Sequence, residues 1–183
     1  MFRMKSNFYK LVLKINKVIY GKNLNLIGVP VIYRFKKAKI EIGKNCTIRS
    51  SFLSNLIGLY QRTIIVARDE GKIVIGDNVG MSGVSIYAKK SIVIGDNCTI
   101  GANVKILDND FHPVDPEARL NNDNSMIKSK KIVIGNNVFI GCNAIILKGT
   151  RIGDNSVVGA GSVIAGQFGE GVIIAGNPGK VVN

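Results

Sequence analysis

The sequence has no tryptophan, one histidine and four prolines in 183 residues, and aromatic side chains make up only 7% of it. A core without large aromatics must be built from aliphatic side chains, and a hydrophobic share of 46% provides them. One histidine cannot supply the several imidazoles of a histidine-ligated zinc site. The cysteines, Cys46, Cys98 and Cys142, are odd in number and show no CxxC spacing, so neither a disulfide framework nor a metal site is expected. No apolar run approaches the roughly 18–20 residues needed to span a bilayer. The stretch Leu11–Tyr20 is interrupted by Lys14 and Lys17, which spoils it as a secretory leader. These absences predict a cytoplasmic protein.

Acidic residues are missing from the first 40 positions, where ten Lys and Arg stand alone; Glu41 is the first acid. The rest of the chain holds 15 basic and 12 acidic residues, so most of the formal charge of +13 belongs to the N-terminal arm. Within that arm Phe8, Leu11, Val12, Ile15, Val18 and Ile19 recur at helical spacing, with Lys10, Lys14 and Lys17 on another face. Residues 1–40 are therefore read as a basic N-terminal helix and cap. Such a helix covers the open apolar end of a repeat domain, and residues 1–20 are also suited to peripheral contact with an anionic membrane surface. No aromatic-interleaved basic motif points to nucleic acid.

What is abundant is a period of six. Hexads start at Ile42, Ile48, Ile75, Met81, Ile94, Ile100 and Ile106, then at Ile134, Ile140, Ile146, Ile152, Val158 and Ile164. The first position is aliphatic, suited to an inward-facing place on a short strand. The second is usually glycine, as at Gly95 and Gly141, which suits either a positive φ or close backbone approach. Asp or Asn often follows, being tolerant of left-handed turns. The fifth position is small or branched and is expected to turn inward, making Cys46 and Cys98 core fillers. Three six-residue walls make a triangular coil of about 18 residues, and coils stack at strand spacing, about 4.8 Å. About five or six coils are expected, over residues 41–183 with a C-terminal cap. The fold class is all-β, a single-stranded parallel β-helix with a short N-terminal helix and a protruding loop.

The loop is the interruption at 112–131, rich in Pro, Asp and Asn. Long loops in compact domains are usually functional or disordered, and this one carries His112 at its base, in Asp108-Asn-Asp-Phe-His-Pro. Imidazole is well suited to accept a proton near neutral pH. Asp108 and Asp110 are candidates to orient it, or simply turn-forming carboxylates.

From about residue 73 onward the chain resembles the hexapeptide-repeat acetyltransferases, in the branch of maltose, galactoside and surface-polysaccharide O-acetyltransferases. The segments that carry the resemblance are Ile75-Gly-Asp-Asn, Asp108-Asn-Asp-Phe-His-Pro, Val133-Ile-Gly-Asn-Asn-Val-Phe-Ile-Gly, Ile152-Gly-Asp-Asn-Ser-Val-Val-Gly-Ala-Gly-Ser and Ala175-Gly-Asn-Pro-Gly-Lys-Val. The resemblance implies a left-handed coil, which the residues alone do not reveal. It also implies acetyl-CoA as co-substrate, His112 as general base and a homotrimer with sites between neighbouring subunits. Gly141, the amide of Cys142, Ala160 and Lys180 match positions that meet the coenzyme, and Phe139 one that packs near the acetyl group. Ser82, Ser85 and Asp110 are the candidates for the acceptor. A Thr-Lys pair of the maltose and galactoside enzymes is replaced here by Ala165-Gly166.

The acceptor implied is a small-molecule or lipid-linked sugar, which would place the enzyme in the cytoplasm, at the inner face of the membrane. Two other readings stay open on the same residues: N-acetylation of an amino sugar nucleotide, and a β-helical scaffold without catalysis.

Overall fold

The computed structural model describes residues 2–35 and 37–182; Met1, Lys36 and Asn183 lie outside the described residues. The chain winds three parallel sheets into a prism. The first wall contains Ile19–Tyr20, Lys39–Ile42, Lys72–Ile75, Ser91–Ile94, Ile132–Ile134, Arg151–Ile152 and Gln167–Phe168. The second runs from Asn25–Ile27 to Ile173–Gly176 and adds the antiparallel strand Gly179–Val181; the third runs from Val31–Arg34 to Val163–Ile164.

The register reproduces the period. Ile42, Ile75, Ile94, Ile134 and Ile152 pair in succession on the first wall. Ile48, Met81, Ile100, Ile140 and Val158 do so on the second. All are buried, as are the fifth-position residues Cys46, Val79, Cys98, Val104, Val138 and Ala144. Each aliphatic side chain so buried is worth about 1.5–3 kcal/mol, and stacking like on like extends one continuous core along the prism.

The corners explain the polar half of the repeat. Asn45, Asn78, Asn97, Asn103, Asn137, Asn143 and Asn155 all have φ between 52° and 60°, so the fourth position is the left-handed one. Between the first and second walls these asparagines form ladders, the Asn45 amide donating to Asn78 and Asn78 to Asn97. The second-position glycines have a different reason. A Cβ on Gly141 would lie 2.5 Å from the Ala160 nitrogen, and Gly141 is not among the positive-φ residues. Close approach, not φ, demands glycine there.

Two expectations are corrected. Coiling starts at Ile19, not at residue 41, because Ile19–Tyr20, Asn25–Ile27 and Val31–Arg34 already pair with the next turn. The cap is thus α1 (Phe2–Ile15) alone, ended by Lys17 with φ 54°. That first coil lacks the Ile-Gly-Asp-Asn signature, which hid it. The helix does seal the coil, but through a different stripe. Leu13 is fully buried, Tyr9 packs on the core and its hydroxyl accepts a hydrogen bond from the Ile32 amide. Phe8, Leu11 and Ile15 face outward, Val12 is half-buried, and Val18 and Ile19 lie beyond the helix.

Candidate functional site

Strand Lys105–Leu107 ends the third wall of the fourth coil, and the loop leaves from that corner. Its neck is a pinched pair of segments: Lys130 N–H donates to the Asp108 carbonyl, Asp110 N–H to that of Lys128, and Asn109 bridges Ser129. Asp108 is fully buried and accepts hydrogen bonds from the amides of Lys89, Lys90 and Ser91 at 2.7–2.8 Å. It is a bracket between coils, and it does not orient the histidine. Beyond the neck, Phe111 adopts φ 61°, a strained setting for a bulky residue. Its amide is held by the Asn109 side chain, and its ring lies against Tyr87 at 4.8 Å. His112 follows, exposed, its ring without a hydrogen bond among the described residues. Further out, Asp115 caps the short helix α2 (Pro116–Leu120), and Arg119 ties back to the Pro113 and Val114 carbonyls.

Asp110 is paired with Lys148, which stands just past the third-wall strand of the next coil. Its other oxygen, Oδ2, is buried without a hydrogen-bond partner among the described residues. Lys148 gave no signal in the sequence, since 38 residues separate it from Asp110. A cavity of about 400 Å³ opens beside the same neck, lined by Arg68, Tyr87, Lys89, Asn109, Phe111 and Asn124 among others.

Gly141, Cys142 and Ala160 lie together at another corner, between the second and third walls. Gly101, Gly141 and Gly159 stack there, and the Gly161 amide donates to the Cys142 carbonyl. The two types of corner differ in one respect. Where the first wall meets the second, the turn amides of Lys44, Asp77, Asp96 and Asn136 each donate to an Asp or Asn side chain of the following coil. At the second-to-third corner the residues in that place are Ala102, Cys142 and Ala160, which offer no acceptor. Their amides meet none among the described residues. The result is a row of unsatisfied N–H donors at coil spacing, about 4.8 Å apart; it is open at Cys142 and Ala160, whereas Ala102 is buried beside the Asn103 side chain that binds the 50–63 segment. Ala160 is exposed and Cys142 partly so. Phe139 is exposed two residues before Gly141, and Lys180 is exposed on the return strand, paired with Ala175.

One chain does not bring the two halves together. Cys142 precedes the third-wall strand Ile145–Leu147 and Lys148 follows it, so the amide row and the Asp110–Lys148 pair sit at opposite ends of a wall. At about 3.3 Å per residue that is roughly 15–20 Å. No hydrogen bond or ion pair of the described residues joins the His112 loop to the Cys142 corner.

Ser82 and Ser85 share the Cys142 corner two coils earlier, but a segment missed in the sequence covers them. Residues 50–63 bulge out between Thr47–Arg49 and Ile64–Ala67. Gln61 donates to the Gly83 carbonyl and the Ser85 hydroxyl, and Asn103 receives the Tyr60 amide and donates to the Gly58 carbonyl. Ser82 is buried. The bulge nevertheless exposes Phe52, Leu53, Leu56 and Ile57, between 61% and 90% accessible.

Burial pushes the Cys46 and Cys98 thiols up from their ordinary value, which leaves them protonated and unreactive. Only Cys142 is partly exposed. A maleimide is therefore expected to label the native protein at Cys142 alone, read by peptide mapping. Rapid labelling of Cys46 would contradict the packing described.

Among the described residues no three His, Cys, Asp or Glu side chains stand together as a metal cage, and no helix is long and apolar enough to cross a membrane.

Comparison with known proteins gives the following. Residues 131–166 match the family described as bacterial transferase hexapeptide (six repeats), and residues 72–107 that described as hexapeptide repeat of succinyl-transferase. The chain is 32% identical to a putative lipopolysaccharide biosynthesis O-acetyl transferase of Escherichia coli, over 90% of its own length and 81% of that protein's. It is 32% identical to a galactoside O-acetyltransferase of Lactococcus lactis, over 78% of its length, and spans 62% of that relative. A galactoside acetyltransferase solved in complex with coenzyme A superposes with a TM-score of 0.54 at 37% identity, covering 62% of this chain and 54% of that one.

Proposed function

The chain belongs to the hexapeptide-repeat acyltransferase family, with its left-handed β-helix, and we propose that it moves an acetyl group from acetyl-CoA to a hydroxyl of a sugar bound for a surface polysaccharide. The observation that carries this reading is the accessible pair of unsatisfied amides at Cys142 and Ala160, one coil apart. An extended arm bearing its own amide carbonyls, as pantetheine is, can lie along such a pair and satisfy it. The coenzyme A complex of a relative and the O-acetyltransferase names of two others support the choice of ligand and reaction.

His112 takes the proton of the acceptor hydroxyl as its oxygen forms a bond to the thioester carbonyl carbon. The carbonyl oxygen becomes an oxyanion and accepts a hydrogen bond from the Cys142 amide beside Gly141, a donor already oriented by the rigid coil. The carbon–sulfur bond then breaks, and the imidazolium returns its proton to the departing sulfur. Asp110, one oxygen on Lys148, offers Oδ2 to another hydroxyl of the sugar. The cavity beside Tyr87 and Phe111 gives the sugar ring an aromatic wall. Ala160 keeps the coenzyme track clear, and Lys180 meets its phosphates.

Because His112 and the amide row lie at different corners, the complete site takes one half from each of two neighbours. A ring of three prisms supplies three such sites by head-to-tail contact. Both corners carry exposed apolar side chains suited to that contact, Phe52, Leu53 and Leu56 near one and Val114, Leu120 and Met126 on the loop at the other. The enzyme works in the cytoplasm, where acetyl-CoA is made.

The test is incubation with acetyl-labelled CoA and a panel of nucleotide-linked and lipid-linked sugars. The expected product releases its label in mild alkali, as an ester does. Label that survives alkali on an amino sugar would show N-acetylation. No labelled product from any sugar would leave a scaffold.

A further inference from the structure

The outer stripe of α1 is left without a function by everything described so far. Phe8, Leu11 and Ile15 recur at i, i+3 and i+7 and are 70%, 55% and 71% exposed, and Ile19 just beyond is 65% exposed. Capping does not account for them, because Leu13 and Tyr9 on the other side of the helix, with Val18 just past its end, already close the core. Lys14, Lys17 and Lys22 are exposed, Lys10 is half-buried, and none of the four meets a carboxylate among the described residues. The first 40 residues contain no acid that could neutralise them.

We propose that this end of the prism docks on an anionic lipid bilayer, with Phe8, Leu11, Ile15 and Ile19 entering the interface and Lys10, Lys14, Lys17 and Lys22 meeting the headgroups. An exposed apolar stripe flanked by lysines is the amphipathic design that lies in the plane of a membrane surface. A second copy of the chain fits the same face poorly, since two lysine-rich ends would repel; the nearest acid, Glu41 beside Ile19, is already paired with Lys72. Docking there brings the enzyme to the surface on which lipid-linked sugars are carried. The proposal does not depend on the acetyl-transfer reading, and its measurement needs no turnover.

The full chain is mixed with vesicles of phosphatidylcholine alone or with added phosphatidylglycerol, and the vesicles are floated. The protein is expected to rise with the anionic vesicles only, and to stay behind in about 1 M salt, where the Debye length shrinks to about 3 Å. Leu11→Glu with Ile15→Glu, both at solvent-exposed positions, is expected to abolish flotation while the melting temperature is kept. Lys14→Glu with Lys17→Glu leaves the apolar stripe intact and is expected to weaken binding at least tenfold, each lost cation counting for about fivefold. A wild-type protein that stays down with anionic vesicles overturns the proposal. So does flotation unaffected by both double variants. A change of oligomeric mass in the Leu11→Glu, Ile15→Glu variant, with no flotation by the wild type, would assign the face to a second copy instead.

Discussion

His112→Ala is expected to lower acetyl transfer by about 10²- to 10⁴-fold, the range that a positioned general base contributes, with acetyl-CoA binding by calorimetry unchanged. Binding survives because the amide row stands at another corner of the prism, and the imidazole touches none of it. His112→Gln, similar in size but unable to take a proton at neutral pH, is expected to be equally slow. A variant that retained wild-type rates would leave the loop without its catalytic role. The proposed trimer with sites shared between neighbours adds a sharper measurement. Under that proposal Ala160→Trp is expected to block the coenzyme track and inactivate every site of a homogeneous assembly. If inactive His112→Ala chains are unfolded and refolded one-to-one with inactive Ala160→Trp chains, some sites receive an intact histidine from one subunit and an intact track from the next. About a quarter of wild-type activity should return when halves are drawn at random across head-to-tail contacts. No recovery in verified mixed trimers would mean that each chain builds its site alone.

Asp108→Ala is expected to be the most destabilising single change, by about 3–5 kcal/mol, because it removes a charged acceptor and strands the Lys89, Lys90 and Ser91 amides in a buried place. For a chain of this length that corresponds to a fall in melting temperature of roughly 10 °C. Asp108→Asn keeps one accepting oxygen but turns an NH2 group toward a donor, so its loss should be smaller than that of alanine. The comparison with Asp110→Ala is the informative control. Asp110 holds Lys148 at a partly exposed site and no backbone amide of a neighbouring coil, so its removal should alter transfer more than melting. If the two aspartates behaved alike, the division between bracket and site would be mistaken.

The coil was legible because its period is local. Ile94-Gly-Asp-Asn running into Ile100-Gly-Ala-Asn declares wall, corner and handover within twelve letters, and the burial of every first position and of fifth-position residues such as Cys98 and Val104 follows from that spacing. The first coil and the 50–63 bulge escaped detection for the opposite reason. Residues 19–34 pair with later strands through backbone groups that any side chain permits, and the bulge is held by Gln61 and by Asn103, which lies about 40 residues away. Helical spacing correctly marked α1, yet it misassigned the inner face. Phe8, Leu11 and Ile15 form a better apolar stripe than Tyr9 and Leu13, and only docking against Ile32 reveals which one is used.

By itself, then, the sequence determined the repeat, the corner chemistry and the loop that carries the one histidine, because each is written in neighbouring residues. Tertiary structure alone decided that Asp108 is a bracket, that Lys148 holds Asp110 and that the Ala102, Cys142 and Ala160 amides line up unsatisfied. It alone also separated that row from the histidine by the width of a wall. These relations join residues on different coils, and the rise of a strand and the stacking distance, rather than adjacency in the chain, set how far apart they fall.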